Sequence, residues 1–228
     1  MWNRQQVKEQ AKIIMKRNYW KMFVVTLLAG LLTGEKTTII ERVQNFASTN
    51  ISYDTSPIFY SSNFQYIFYS FISIASILGI LYTIFIGNVI VVGKSRYFIK
   101  NHDENPELSE IFKGFKGNYL NVVKIMFLMN LKILLWLFLF IVPGIIKAYE
   151  YSMIPYLLAE NPNLSASQAF SLSKQMTTGQ KMDLFVLDLS FLGWIILGLI
   201  CCGIGILFLQ PYPEATRAEV YLILKQQV

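Results

Sequence analysis

Two stretches of this chain carry no charged residue at all: Thr55 through Gly93, and Leu189 through Pro213. At 1.5 Å of rise per residue, a helix needs roughly 20 apolar residues to cross the hydrocarbon core of a bilayer, and each stretch is long enough. Composition points the same way. Of the 228 residues 54% are hydrophobic and 15% charged, whereas a soluble domain carries about a quarter charged residues. The competing reading is a buried helix of a large soluble protein, which the length of both runs argues against.

A pass along the chain gives six apolar segments. Arg4, Lys8, Lys12 and Lys16 recur every fourth residue beside Val7, Ala11, Ile14 and Met15, the pattern of a basic amphipathic helix that lies on an anionic membrane surface. These four cations are the candidate lipid-headgroup contacts. A first apolar segment, Trp20 to Leu32, follows; it is read as a retained span, because no small-x-small cleavage pattern leads into a soluble chain. Gly34 to about Asn63 reads as an outside segment, partly helical around Thr38 to Phe46. A second span runs from about Phe64 to Gly93, and an inside loop from Lys94 to Asn118. Spans three and four, Tyr119–Val142 and Ile145–Ala159, meet at a tight break at Pro143-Gly144. Spans five and six, Asp183–Ile200 and Ile206–Leu224, meet at Gly203-Ile204-Gly205.

Basic residues orient the spans. The first 21 residues hold six Lys/Arg and the 94–118 loop holds five; the 34–63 segment holds two and the tight turns none. The positive-inside rule then places both termini in the cytoplasm. The net charge of +6 suits anionic lipid better than nucleic acid, because the basic stripes adjoin membrane spans.

Two near-identical phrases mark a repeat. Glu104-Asn105-Pro106-Glu107-Leu108-Ser109 and Glu160-Asn161-Pro162-Asn163-Leu164-Ser165 each follow an even-numbered span and precede a short helix. Asn-Pro favours a turn, and Ser109 or Ser165 can cap the helix beyond it; Ser165 with Gln168 has capping-box spacing. Arg17-Asn18-Tyr19, Gly117-Asn118-Tyr119 and Gly179-Gln180-Lys181 open the odd spans in similar words. The expectation is one all-α polytopic membrane domain over residues 1–228. It has six transmembrane helices in three hairpin repeats, at about 1–100, 101–160 and 161–228, with interfacial amphipathic helices.

The stretches "KIMFLMNLKILLWLFLFIVPGIIKAY" and "MDLFVLDLSFLGWIILGLICCGIGILFLQPYPEAT" closely resemble a bacterial integral-membrane family, domain of unknown function 975, common in Gram-positive bacteria. The resemblance extends over nearly the whole chain and is weakest from Gly34 to Asn63. It implies the fold and a bacterial cytoplasmic (inner) membrane location, and it brings no catalytic residue.

Ionisable residues inside spans are costly and face partners or wet cavities. Lys124, Lys132, Asp188, Glu214 and Arg217 form the candidate intramembrane polar network. Lys132 lies 11 residues before Pro143 and Glu214 lies 11 after Gly203; Asp188 and Arg217 lie 15 before and 14 after Gly203. Equal depths predict that Asp188 pairs with Arg217 and Lys132 with Glu214. Lys124 and Arg217 also lie near enough to the cytoplasmic surface to snorkel. His102, the one histidine, reads as a solvated loop residue.

No zinc, phosphate-loop or nucleophile-elbow motif occurs. The adjacent Cys201 and Cys202 have neither disulfide geometry nor a metal partner nearby. No catalytic residue, metal or cofactor is expected. The leading expectation is a non-enzymatic membrane-organising, lipid-interacting or accessory protein, with anionic lipids and a membrane-protein partner. The alternative is a small transporter or efflux/immunity component with a polar path. A cavity open at the buried charges favours the second; closed, dry pairs favour the first.

Overall fold

The apolar run ahead of Lys94 is helical and does not stop at the lysine. The computed structural model describes residues 2–33, 62–200 and 204–227, and among these every regular element is helical. In chain order they are α1 (Arg4–Thr33), α2 (Ser62–Tyr82), a π turn (Thr83–Gly87) and α3 (Asn88–Asp103). A 3-10 helix (Leu108–Phe115) follows, then α4 (Tyr119–Leu139), α5 (Ile141–Glu150), α6 (Ile154–Glu160) and α7 (Ala166–Thr177). The last are α8 (Lys181–Ile200), α9 (Ile204–Leu209) and α10 (Pro211–Lys225). Two helical stretches, Tyr69–Asp103 and Tyr119–Leu139, are long and apolar enough to cross a membrane. The expected helix at Thr38–Phe46, Cys201, Cys202 and Gly203 lie outside the described residues.

Several boundaries differ from expectation, each for a physical reason. The basic surface helix and the first apolar segment are one helix, α1, bent at Asn18 (φ −131°, ψ 28°). Buried Val7, Ala11, Ile14, Asn18, Met22, Val25 and Ala29 keep one face through the bend. Residues 94–103 continue α3, because Ile90, Tyr97 and Asn101 sit at helical spacing on its buried side. The turn between α4 and α5 is at Phe140, in extended conformation, ahead of the expected Pro143-Gly144. A proline ring clashes with the carbonyl four residues back, so no helix runs through residue 139 into Pro143. Gly144 then lets α5 fold onto α4, since a Cβ there would lie 2.6 Å from Leu137.

Two apolar clusters hold the helices together. In one, Val7, Ala11, Met22 and Val25 of α1 meet Tyr97 and Phe98 of α3 and Ala218 and Tyr221 of α10. In the other, Val89 and Val92 of α3 meet Val122 and Met126 of α4, Leu158 of α6 and Ala169 of α7. Outside them lies an exposed apolar surface: Phe71 is 70% exposed, Phe138 91% and Val142 68%. Water penalises exposed apolar side chains of this size and number, whereas hydrocarbon does not.

The two Glu-Asn-Pro joints are held by polar groups from other segments. At the first, the Arg17 guanidinium donates to the carbonyls of Asn101, His102 and Glu104, satisfying the open end of α3. Asn18 Nδ2 donates to Asn101 Oδ1 at 2.8 Å, and Lys21 Nζ to Asn105 Oδ1 at 2.8 Å. At the second, Asn121 Nδ2 donates to the carbonyls of Pro162 and Leu164, and Tyr221 and Lys225 reach Glu160. Ser165 caps α7 in a full capping box with Gln168. Ser109 does not cap: the segment after it is a 3-10 helix without a side-chain cap, and its hydroxyl turns to Glu107.

The 3-10 helix packs so tightly on α3 that a Cβ on Gly93 would lie 1.8 Å from the Ile111 carbonyl oxygen. Glu110 anchors the same contact, accepting from Arg96, Lys100 and Lys113. Burial alone would raise its pKa, but these three cations outweigh that and hold it down to about 2. Gly93→Ala is therefore expected to cost more than the ~1–3 kcal/mol typical of overpacking, because backbone itself must move. Gly193→Ala, with nothing within 4 Å, should be neutral or stabilising. Thermal unfolding of the two variants in detergent checks this; equal midpoints would contradict the packing described.

Candidate functional site

The candidate site is built from charges that cannot stay unpaired in an apolar setting. Asp188, on α8, meets Arg217 of α10 at 2.9 Å and also accepts from the Tyr149 hydroxyl of α5 at 3.0 Å. The expected Asp188–Arg217 pair is therefore present. The Lys132–Glu214 pair is not: Glu214 is held by Lys94 of α3 at 2.7 Å. Lys132 is exposed and sits over the Phe170 ring, 3.7 Å from its centroid. Depth counting could not choose between hairpins for Glu214, and Lys94 was assigned to a loop. Lys124 is exposed on α4.

Glu214 and Arg217 are three residues apart on α10, so they share one face about a turn apart. The two ion pairs thus adjoin in the order Lys94, Glu214, Arg217, Asp188, with alternating sign. These four residues line a cavity of about 510 Å³ between α3, α4, α5, α6, α8 and α10, within the range of small-molecule sites. Its remaining walls include Tyr149, Ser152 and Tyr156, with Leu137 and Ile145 on the apolar side. The side chains are graded in exposure: Lys94 8%, Glu214 26%, Asp188 27% and Arg217 50%. The site is open at the Arg217 end and closed at Lys94.

Local chain geometry shapes this space. The helical path of the fourth expected span is interrupted at Tyr151–Met153 between α5 and α6. The Ser152 hydroxyl donates to the Tyr149 carbonyl at 2.8 Å, taking up an acceptor in the interrupted turn. Pro155, in the first turn of α6, needs no N–H partner there. Ser152 and Met153, in this interrupted turn, border the cavity.

Other polar groups found partners that sequence reasoning missed. Glu150 accepts from Lys147 at 2.8 Å and Lys181 at 2.7 Å, joining α5 to α8. His102 is not a solvated loop residue: it ends α3, with Nδ1 2.8 Å from the Glu219 carboxylate of α10. Of the expected headgroup contacts, Arg4, Lys12 and Lys16 are exposed. Lys8 instead turns inward to the Ser190 hydroxyl, 4.7 Å from the Phe191 ring centroid. Burial, with Lys12 and Arg4 beside it, pushes its pKa below the ordinary lysine value. Among the described residues no three His, Cys, Asp or Glu gather as a metal site.

Residues 139–228 match the family model described as a protein of unknown function, DUF975. The expected resemblance is thus present over this C-terminal part, which includes Asp188, Glu214 and Arg217 but not Lys94. No curated protein and no solved structure matches the chain.

Removing one partner of a buried pair strands the other charge, at about 3–5 kcal/mol. Lys94→Met should lower stability by that order. Lys132→Met should lose no more than the ~1 kcal/mol of an exposed cation–π contact. Thermal unfolding of both, with Lys94→Met/Glu214→Gln less damaged than the sum of its single changes, checks the assignment. Equal losses at Lys94 and Lys132 would contradict it.

Proposed function

We propose that this chain, whose residues 139–228 match DUF975, is a non-enzymatic multi-pass membrane protein that binds a polar molecule between its hairpins. A small transporter or efflux/immunity component would do so. One observation carries the proposal. Four charged side chains from three helices in two of the hairpins line an open cavity of about 510 Å³ where a third hairpin's helical path is interrupted. Transporter sites are commonly built from interrupted helices near the bilayer midplane. The internal ion pairs keep each charge compensated before a ligand arrives, so the open site needs no occupant to remain folded.

The proposed topology is six spans in three hairpins, with both termini in the cytoplasm of a bacterial inner membrane. The Lys/Arg counts support the orientation. The joints support the repeat: Lys21 and Asn121 hold matching places after Arg17-Asn18-Tyr19 and Gly117-Asn118-Tyr119, and each reaches the next Glu-Asn-Pro joint. Exposed Arg4, Lys12 and Lys16 favour a second reading, a lipid-interacting or membrane-organising role through anionic headgroups. Both readings leave room for a membrane-protein partner.

Solvent access separates them. In a chain with Cys201 and Cys202 changed to alanine, Ser152→Cys should react with a water-soluble maleimide in intact membranes. Leu158→Cys, at a fully buried position, should not. Equal, slow labelling at both positions would mean a dry site and leave the membrane-organising role.

A further inference from the structure

Resting on the binding role proposed above, we infer that the ligand of this cavity is a zwitterion. It carries one anionic group and one ammonium a few ångströms apart. The lining charges are Lys94 and Arg217 against Asp188 and Glu214, a formal sum of zero. A singly charged ligand would bring an uncompensated charge into a region of low dielectric, where such charges are strongly penalised. A zwitterion enters neutral and still meets both signs.

The order of the charges sets where each end goes. Because Glu214 and Arg217 are one turn apart, opposite charges alternate along the wall. Arg217 donates to Asp188 from Nη2, and a guanidinium has five N–H donors. Its half-exposed side chain therefore has donors for the ligand's anion. The ammonium is received by Glu214 and Asp188, beside the rings of Tyr149 and Tyr156, whose faces attract cations. Lys94, the least exposed of the four, stays on Glu214 and keeps that carboxylate charged.

The apolar side of the cavity separates two sources of this chemistry. Leu137 and Ile145 line it and are 39% and 42% exposed, so a lipid whose head occupies the charges can lead its chains out past them. A free solute would leave that side unused. The shared head is an ethanolamine phosphodiester, with one negative phosphate and one ammonium.

The test uses the purified full chain and calorimetric titration with glycerophosphoethanolamine, diethyl phosphate and ethylamine, the first a neutral zwitterion and the others singly charged at neutral pH. Glycerophosphoethanolamine should bind at least tenfold tighter than either singly charged probe. Arg217→Gln should weaken it tenfold or more. Ala148→Phe, which fills the cavity without touching a charge, should do the same and keeps the test valid if the arginine variant fails to fold. Native mass spectrometry from nanodiscs of mixed phosphatidylethanolamine and phosphatidylglycerol identifies the source. Selective retention of the former assigns a lipid, and binding of the soluble probe alone assigns a free solute; either supports the zwitterion. A singly charged probe binding as tightly as glycerophosphoethanolamine overturns the zwitterion and leaves the binding role standing. No binding by any probe or lipid, with wild type and Ala148→Phe alike, overturns both.

Discussion

A carboxylate inside an apolar shell must either give up its charge or bring a donor with it, and this chain takes the second course throughout its core. Glu214 is bound to Lys94, Asp188 to Arg217 and Tyr149, and Glu150 to Lys147 and Lys181. Glu110 holds Arg96, Lys100 and Lys113, and Glu219 meets His102. Most of these contacts join different helices. Apolar packing within lipid is weakly directional, because lipid chains are as apolar as the side chains they replace. The ion pairs therefore add direction to the contacts made by the two apolar clusters.

The cavity follows from that arrangement. Lys94 binds α3 to α10, and Arg217 binds α10 to α8, so α10 is held on both sides. The interruption between α5 and α6 keeps the fourth segment from closing over the space. Extra ion pairs alone would make a rigid bundle; an interrupted helix beside them makes a lined site. The grading of exposure from Lys94 to Arg217 then separates an anchoring pair from an accessible one.

Much of this was legible in the residues, and the misses have identifiable causes. The Asp188–Arg217 pair could be placed by counting from one turn, because both lie in the same hairpin. Glu214 could not, since depth alone does not distinguish neighbouring hairpins. Lys94 was hidden by the habit of reading a lysine after an apolar run as the end of a span. The continuing spacing of Ile90, Tyr97 and Asn101 would have carried α3 onward to Asp103. His102 was missed for the same reason. The Phe140 break was displaced because the steric effect of Pro143 acts four residues upstream. The capping box at Ser165 was readable because it depends only on local chemistry; the cap at Ser109 failed because its segment winds as a 3-10 helix.

The central claim is that the four charges form a binding surface as well as a lock, and exchanging one pair separates the two. In the double variant Asp188→Arg/Arg217→Asp the ion pair can re-form, but the charges no longer alternate along α10. Thermal unfolding and glycerophosphoethanolamine titration on this variant, beside each single change, separate the two roles. Stability should return toward wild type while binding stays at least tenfold weaker. Recovery of binding together with stability would contradict the central claim and reduce the quartet to a structural lock.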